Sequence, residues 1–274
     1  MRLVTYQRNG HARSGVVVGG AVFDTGFATT RAALAADAIE PGERVGALDE
    51  VELGPPVTDP DKIVCLGLNY RDHAAESGLA LPTAPLLFAK FRNSLTGPNA
   101  PIVLPSRGEL IDYEAELAVV IGRRGKDIAA EDALEHVAGA MAFNDVTARD
   151  VQHATSQWTA GKAIDTFAPC GPALVTLDEV GDLQDLAIRA RVNGVTVQDG
   201  HTSQMIFAVA ETIAFISSLM TLEVGDIIAT GTPAGVGISR DPHVLLHDGD
   251  VVEIEIEGLG VLSNPVAALV AVEA

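Results

Sequence analysis

The stretch IDYEAELAVVIG, residues 111–122, decides how the chain is read. From Leu117 to Ile121 it is an unbroken run of β-favouring apolar residues, the pattern of a buried strand. Glu114 and Glu116 stand at the head of that run, two residues apart. Side chains at i and i+2 of a strand share a face, so two carboxylates are carried side by side toward the core. Like charges at that spacing repel, and burying them unpaired is expensive. Something else must meet them.

A third acid follows in the same kind of setting. Asp145, in AFNDVTARD, comes directly after another apolar run. Three convergent carboxylates are unstable without a cation, and an oxygen-only set lacking Cys and His suits a hard ion, Mg²⁺ or Mn²⁺. Mg²⁺ keeps several waters, which leaves positions open for a chelating substrate. The alternative is a set of half-buried salt bridges to Arg149, Arg123 or Lys162. In NYRDHAAESG, His73 and Glu76 share a face if the segment is helical, and the carboxylate then orients the imidazole as a general base able to activate water. An exposed polar turn is the plainer reading of those residues. Lys162, in WTAGKAIDTFAPCGP, is a lone lysine among apolar neighbours; it faces either a substrate anion, or Asp165 and solvent. The glycine-rich TGTPAGVG, residues 230–237, lacks the Lys-Ser/Thr ending of a phosphate loop. It serves either as a turn presenting N–H groups and the Thr232 hydroxyl to an anion, or as a tight structural turn.

The rest of the chain sets the frame. Its 274 residues are 47% hydrophobic, enough for a sizeable core. Eighteen basic against 37 acidic residues give a net charge of −19, which argues against nucleic acid or an anionic membrane as partner. The first residues are polar, with no apolar signal core. The most apolar long segment, residues 206–222, is interrupted by Glu211 and hydroxyls and reads as a core helix. Cys65 and Cys170 have no paired spacing and read as reduced thiols of a cytoplasmic protein. Residues 1–58 read as a small N-terminal α/β module with a helix in TTRAALAADA, ending at a linker around Pro55, Pro56 and Pro60. Residues 59–274 form the main domain. Within it, helices are expected from residue 130 and at about 204–220, and a hairpin at Asn193-Gly194. Strands dominate without regular strand-helix alternation, so the fold class is α+β, strand-rich and mainly antiparallel.

The order of the motifs adds a resemblance. GLNYRDHAAE (67–76), PLLFAKFRNSLTGPNAPIVLP (85–105), DYEAELAVVIG, AFNDVTARDVQ, GKAIDTFAPCGP, VNGVTVQDGHTSQMIF, LEVGDIIATGTPAGVG and DGDVVEIEIEGLGVLSNPV follow one another from Lys62 to the closing strands. Together they resemble the fumarylacetoacetate hydrolase family. The resemblance implies a mixed β-sandwich roll, a homodimer, and a site holding Mg²⁺ or Mn²⁺ on Glu114, Glu116 and Asp145. It implies His73 and Glu76 as the catalytic pair, on a segment that orders as a lid, and Lys162 as the catalytic lysine. Arg149, Gln152 and Thr232 match substrate-facing positions, and Lys90 is a further candidate for the pocket.

The expected chemistry is cleavage of a C–C bond in a β-diketo acid, such as an acylpyruvate of the fumarylpyruvate type. Water activated by His73 and Glu76 attacks the distal carbonyl, and the leaving enolate is stabilised by the cation and Lys162. Decarboxylation of a 2-oxo diacid such as oxaloacetate, or isomerisation of a 2-hydroxy-diene dioate in aromatic-compound catabolism, uses the same groups. The complete His-Glu pair favours hydrolysis. A non-catalytic protein that binds 2-oxo acids predicts the loss of His73, Glu76 or Lys162, and all three are present. A scaffold using its acidic surface gives no reason for carboxylates on a core strand.

Overall fold

The computed structural model describes residues 1–269. Strand Ala115–Ile121 is buried along its whole length. It pairs antiparallel with Val137–Asn144 on one side and with Ile227–Ala229 on the other. Leu117, Val119 and Ile121 enter a core shared with Ile188, Ile254 and Ile256, while Ala118 and Val120 enter a second core with Leu3, Cys65 and Phe143. Both faces of the strand are therefore covered, which is why its apolar run does not alternate.

This strand is central to a sheet of 12 strands. One edge is Leu86–Lys90, followed by Ile63–Gly67, Ile227–Ala229, Ala115–Ile121, Val137–Asn144 and Ala168–Thr176. A second sheet of five strands closes over the first core, in the order Val195–His201, Ala187–Val192, Val251–Ile256, Gly260–Ala268 and Ile102–Leu104. Ala187–Val192 and Val251–Ile256 do alternate, burying every second residue, because only one of their faces is covered. Pairing is mostly antiparallel, with parallel exceptions such as Ile227–Ala229 on Ile63–Gly67. The strand-rich mixed roll expected from the sequence is what forms.

The leading residues extend the main sheet. Arg2–Arg8 pairs directly with Ala168–Thr176, setting Leu3 opposite Leu174, and the sheet runs on through His11–Val18, Ala21–Asp24 and Arg44–Ala47. Of the expected range 59–274, residues 270–274 lie outside the described residues.

Helices are shorter than sequence periodicity predicts. The one expected at about 204–220 is Val209–Leu219; it starts where Glu211 Oε2 accepts from Ala208 N at 2.9 Å, and a 3₁₀ turn, Thr202–Gln204, precedes it. The helix expected from residue 130 is a run of 3₁₀ turns, Ala130–His136. TTRAALAADA yields five helical residues, Thr30–Leu34, capped by the Thr29 hydroxyl. Single faces packed on sheets set these limits, since propensity over so few residues is a weak force.

Leu3→Ala tests the shared sheet. Leu3 is fully buried, so its truncation is expected to destabilise the chain by about 2–5 kcal/mol in a single urea transition. Separate early melting of residues 1–58 would contradict the continuity.

Candidate active site

The strand ladder brings the acids together. Ala115 pairs with Asn144, and one step further Asp145 N donates to Glu114 O at 3.0 Å. Glu116 follows on the same strand. The three buried carboxylates each offer an oxygen within 4.8 Å of the others. Buried amide side chains hold the backbone: Glu114 N donates to Asn144 Oδ1 at 3.0 Å, and Ala115 N to Gln198 Oε1 at 2.9 Å.

Three cations answer two of the acids. Lys162 Nζ lies 3.0 Å from Glu114 Oε2 and 2.7 Å from Asp145 Oδ2. Arg149 Nη1 is 2.7 Å from Glu114 Oε1, and Lys90 Nζ is 2.7 Å from Asp145 Oδ1. Arg123 takes no part; it pairs with Glu135 at the surface. Burial alone would raise the Glu114 carboxyl, but Lys162 and Arg149 outweigh it and hold it well below the usual carboxylate range.

Glu116 is different. Its Oε2 accepts from Gly231 N at 2.9 Å, and its buried Oε1 has no hydrogen-bond partner among the described residues. Burial, then the charges of Asp145 and Glu114, push its carboxyl well above its ordinary range. An orphaned inward oxygen within an all-carboxylate set is the donor chemistry of a hard divalent cation, so the residues present fit Mg²⁺ or Mn²⁺. The two alternatives of the sequence thus coexist: salt bridges serve Glu114 and Asp145, and a cation-shaped deficit remains at Glu116.

Close backbone approaches make this packing possible. Gly231, at φ +94°, directs its N–H to Glu116, and a Cβ there would sit 2.8 Å from Asn69 Cβ. Gly161 lets the turn carrying Lys162 lie on the neighbouring segment; a Cβ would come within 2.5 Å of Gln152 N.

A cavity of about 250 Å³ opens beside the acids, lined among others by His73, Glu114, Arg149, Gln152, Lys162 and Thr232. Helix Arg71–Glu76 forms at its mouth and places His73 Nδ1 3.1 Å from Glu76 Oε2. Glu76 Oε1 accepts in turn from Gly235 N at 2.9 Å. Gln152 Oε1 accepts from Arg149 Nη1 at 3.3 Å, and Thr232 Oγ1 from Gln198 Nε2 at 2.8 Å. Lys90 is placed otherwise. Its ammonium is fully buried behind Asp145, donating to Val146 O at 3.0 Å, Phe167 O at 2.7 Å and Lys162 O. Burial pulls it below its ordinary range, while Asp145 favours the charged form. A larger opening, about 640 Å³, runs along edge strand Leu86–Lys90, but of the predicted residues only Lys90 reaches it. The chemistry is gathered in the smaller one.

Three buried residues of the site escaped the sequence reading. Asn69 ties the segment before His73 to the glycine loop, its Nδ2 donating to Thr230 O at 2.8 Å. Gln198 links that loop to the Glu114–Glu116 strand. Asp112 accepts from Arg149 Nε at 2.8 Å and from Gly237 N at 2.7 Å. Its signal was available: DYEAE carries acids at i, i+2 and i+4.

Fold and site together define a class: a strand-rich roll around a buried three-carboxylate centre, with a His-Glu pair at the mouth of a small cavity. The chain belongs to the fumarylacetoacetate hydrolase family; residues 62–267 match the family described as Fumarylacetoacetate (FAA) hydrolase C-terminal. It is 51% identical over 219 residues to human oxaloacetate tautomerase FAHD2A, mitochondrial, covering 79% of this chain and 70% of that one. Among solved structures it resembles a fumarylacetoacetate hydrolase from Exiguobacterium antarcticum, with TM-score 0.89, 39% identity, and 98% and 100% of the two chains covered. A 2-hydroxyhepta-2,4-diene-1,7-dioate isomerase from Mycobacterium marinum matches with TM-score 0.79 and 37% identity over 98% of each chain. Among the described residues, no helix is long and apolar enough to cross a membrane.

Glu116→Gln separates the cation role from folding. Because burial and its acidic neighbours push the Glu116 carboxyl toward its neutral form, the amide should leave the melting temperature of the metal-free protein nearly unchanged. Mg²⁺ is expected to raise the melting temperature of the wild type, and the same change should abolish that rise. A preserved Mg²⁺ shift would remove Glu116 from the cation site.

Proposed function

We propose that this chain catalyses proton transfer at the carbon next to the carbonyl of a short 2-oxo diacid, a keto–enol interconversion of the oxaloacetate type, with Mg²⁺ or Mn²⁺ on Glu114, Glu116 and Asp145. The observation that carries it is the His73–Glu76 pair, 3.1 Å apart, at the mouth of a cavity walled by Lys162 and Arg149. A divalent cation at the three carboxylates supplies Lewis-acid polarisation of a carbonyl oxygen. The protein's own groups do the rest. Glu76 accepts the Nδ1 proton of His73 and so leaves Nε2 as the base facing substrate. Nε2 takes the proton from carbon, the negative charge that develops on oxygen is met by the Lys162 ammonium, and His73 then returns the proton to that oxygen, completing the enol; the reverse transfer gives the keto acid. Arg149, Gln152 and Thr232 hold the carboxylates. A cavity of about 250 Å³ falls below the size of drug-like sites, which supports a substrate of a few carbons.

The human relative is named an oxaloacetate tautomerase, and the Mycobacterium marinum protein a 2-hydroxyhepta-2,4-diene-1,7-dioate isomerase. Tautomerisation and isomerisation of such acids are both proton transfers, and the two relatives support this order of preference. C–C hydrolysis of an acylpyruvate is the second reading, favoured by the same base and by the likeness to the Exiguobacterium hydrolase. Decarboxylation of oxaloacetate comes third. We also propose a homodimer, supported by the exposed Leu86 on an edge strand and Phe91 just after it, and no nucleic-acid or membrane partner, supported by the net charge of −19. Two buried, unpaired cysteines support a reducing, cytoplasmic setting.

The deciding experiment is a Mg²⁺-supplemented panel of enol-oxaloacetate, hydroxy-diene dioates and acylpyruvates, followed by ultraviolet absorbance with products identified by mass. Enol-oxaloacetate should be turned over fastest, without loss of carbon. His73→Ala should lower kcat by about 10²–10⁴-fold while leaving Mn²⁺ affinity intact. Faster cleavage of acylpyruvates would put hydrolysis first.

A further inference from the structure

Asp112 is fully buried, and each of its carboxylate oxygens accepts two hydrogen bonds. Oδ1 takes Tyr113 N at 2.9 Å and Gly237 N at 2.7 Å; Oδ2 takes Ile238 N at 3.1 Å and Arg149 Nε at 2.8 Å. Three of the four donors are backbone N–H groups, so the carboxylate cannot turn. It is an anchor with a single side-chain client.

That client is Arg149. A guanidinium has five N–H donors in a rigid fork, so fixing one edge fixes the direction of the others. Nε is held by Asp112, and Nη1 is shared between Glu114 Oε1 at 2.7 Å and Gln152 Oε1 at 3.3 Å. Nη2 lies 2.8 Å from Asp112 Oδ2 but out of line for a hydrogen bond, and it is a buried donor with no hydrogen-bond partner among the described residues. Arg149 lines the cavity and is only 6% exposed. A buried cationic donor left unsatisfied beside a cavity is built for an anion that arrives later.

We propose that Asp112 is a positioning residue for substrate binding: clamped by the backbone of residues 237–238, it aims the spare donor of Arg149 at a substrate carboxylate. This rests on the reading above that a small 2-oxo acid enters the cavity. Without Asp112 the guanidinium collapses onto Glu114, the other acid it already touches, and its donor no longer reaches the ligand. Asp112 itself touches no substrate.

The test is a double-mutant cycle on binding, with oxalate as the probe and saturating Mg²⁺, read by calorimetry. Asp112→Asn and Arg149→Met are each expected to raise the oxalate Kd by about 10–100-fold. Adding Asp112→Asn to Arg149→Met should change Kd by less than about twofold, because the anchor acts only through its client. Additive losses would overturn the proposal, as would failure of the wild type to bind oxalate. In turnover, Asp112→Asn should raise KM with kcat nearly unchanged; a fall in kcat at constant KM also overturns it. If Asp112→Asn alone does not fold, the double variant, which removes both members of the buried pair, still meets Arg149→Met in the decisive comparison. A wild type that binds oxalate but turns over none of the 2-oxo acids would refute the reaction and leave the Asp112 result standing.

Discussion

Three carboxylates held within 4.8 Å of one another inside a protein core are the constraint on which the rest of this structure depends. Removing one partner from a buried ion pair typically costs about 3–5 kcal/mol, so each cation near the acids matters to stability as well as chemistry. Lys162 bridges Glu114 and Asp145, Arg149 covers the far side of Glu114, and Lys90 backs Asp145. The compensation is incomplete at Glu116: its inner oxygen lacks a hydrogen-bond partner among the described residues, and burial with Asp145 and Glu114 outweighs the relief that Lys162 gives. Stability and the candidate site meet at that oxygen: the deficit left there is one that a divalent cation would fill.

The glycine-rich loop after Ile227–Ala229 is the second organising element. Gly231 N holds Glu116, Gly235 N holds Glu76, and Gly237 N with Ile238 N hold Asp112. One short run of backbone N–H groups therefore orients a carboxylate of the buried acidic triad, the carboxylate paired with His73, and the carboxylate paired with Arg149. Backbone donors suit this work because they are fixed by the chain path and carry no rotamer freedom to lose. In sequence such a loop is a weak signature, since its donors belong to the main chain and leave no side-chain pattern beyond glycine and proline.

Much of the site was legible because local periodicity already encodes it. Two residues of separation on a strand put Glu114 and Glu116 on one face, and three on a helix bring His73 to Glu76; neither relation needs the rest of the fold. Other features took their place from packing across the chain, which local periodicity does not encode. Lys90 resembles a pocket lysine in its motif, yet three carbonyl oxygens and Asp145 hold its ammonium behind the acids. The Pro-rich stretch at 55–60 reads as a linker, yet the strands before it join the main sheet through Arg2 and Leu3. Helix lengths at 130–136 and 204–208 were overestimated, because neighbouring elements set where a short helix stops.

What the sequence determined by itself was the class of fold and the identity of the chemical groups: an apolar strand headed by paired acids, a His-Glu pair, a lone lysine. Only the tertiary structure decided which cation answers which acid, that Glu116 is left without one, and that Asp112 stands behind Arg149. The physical reason is distance. Residues 112 and 149, or 116 and 231, have no local relation that periodicity could reveal, and their pairing exists only because strands and a loop distant in sequence are packed to hydrogen-bond range.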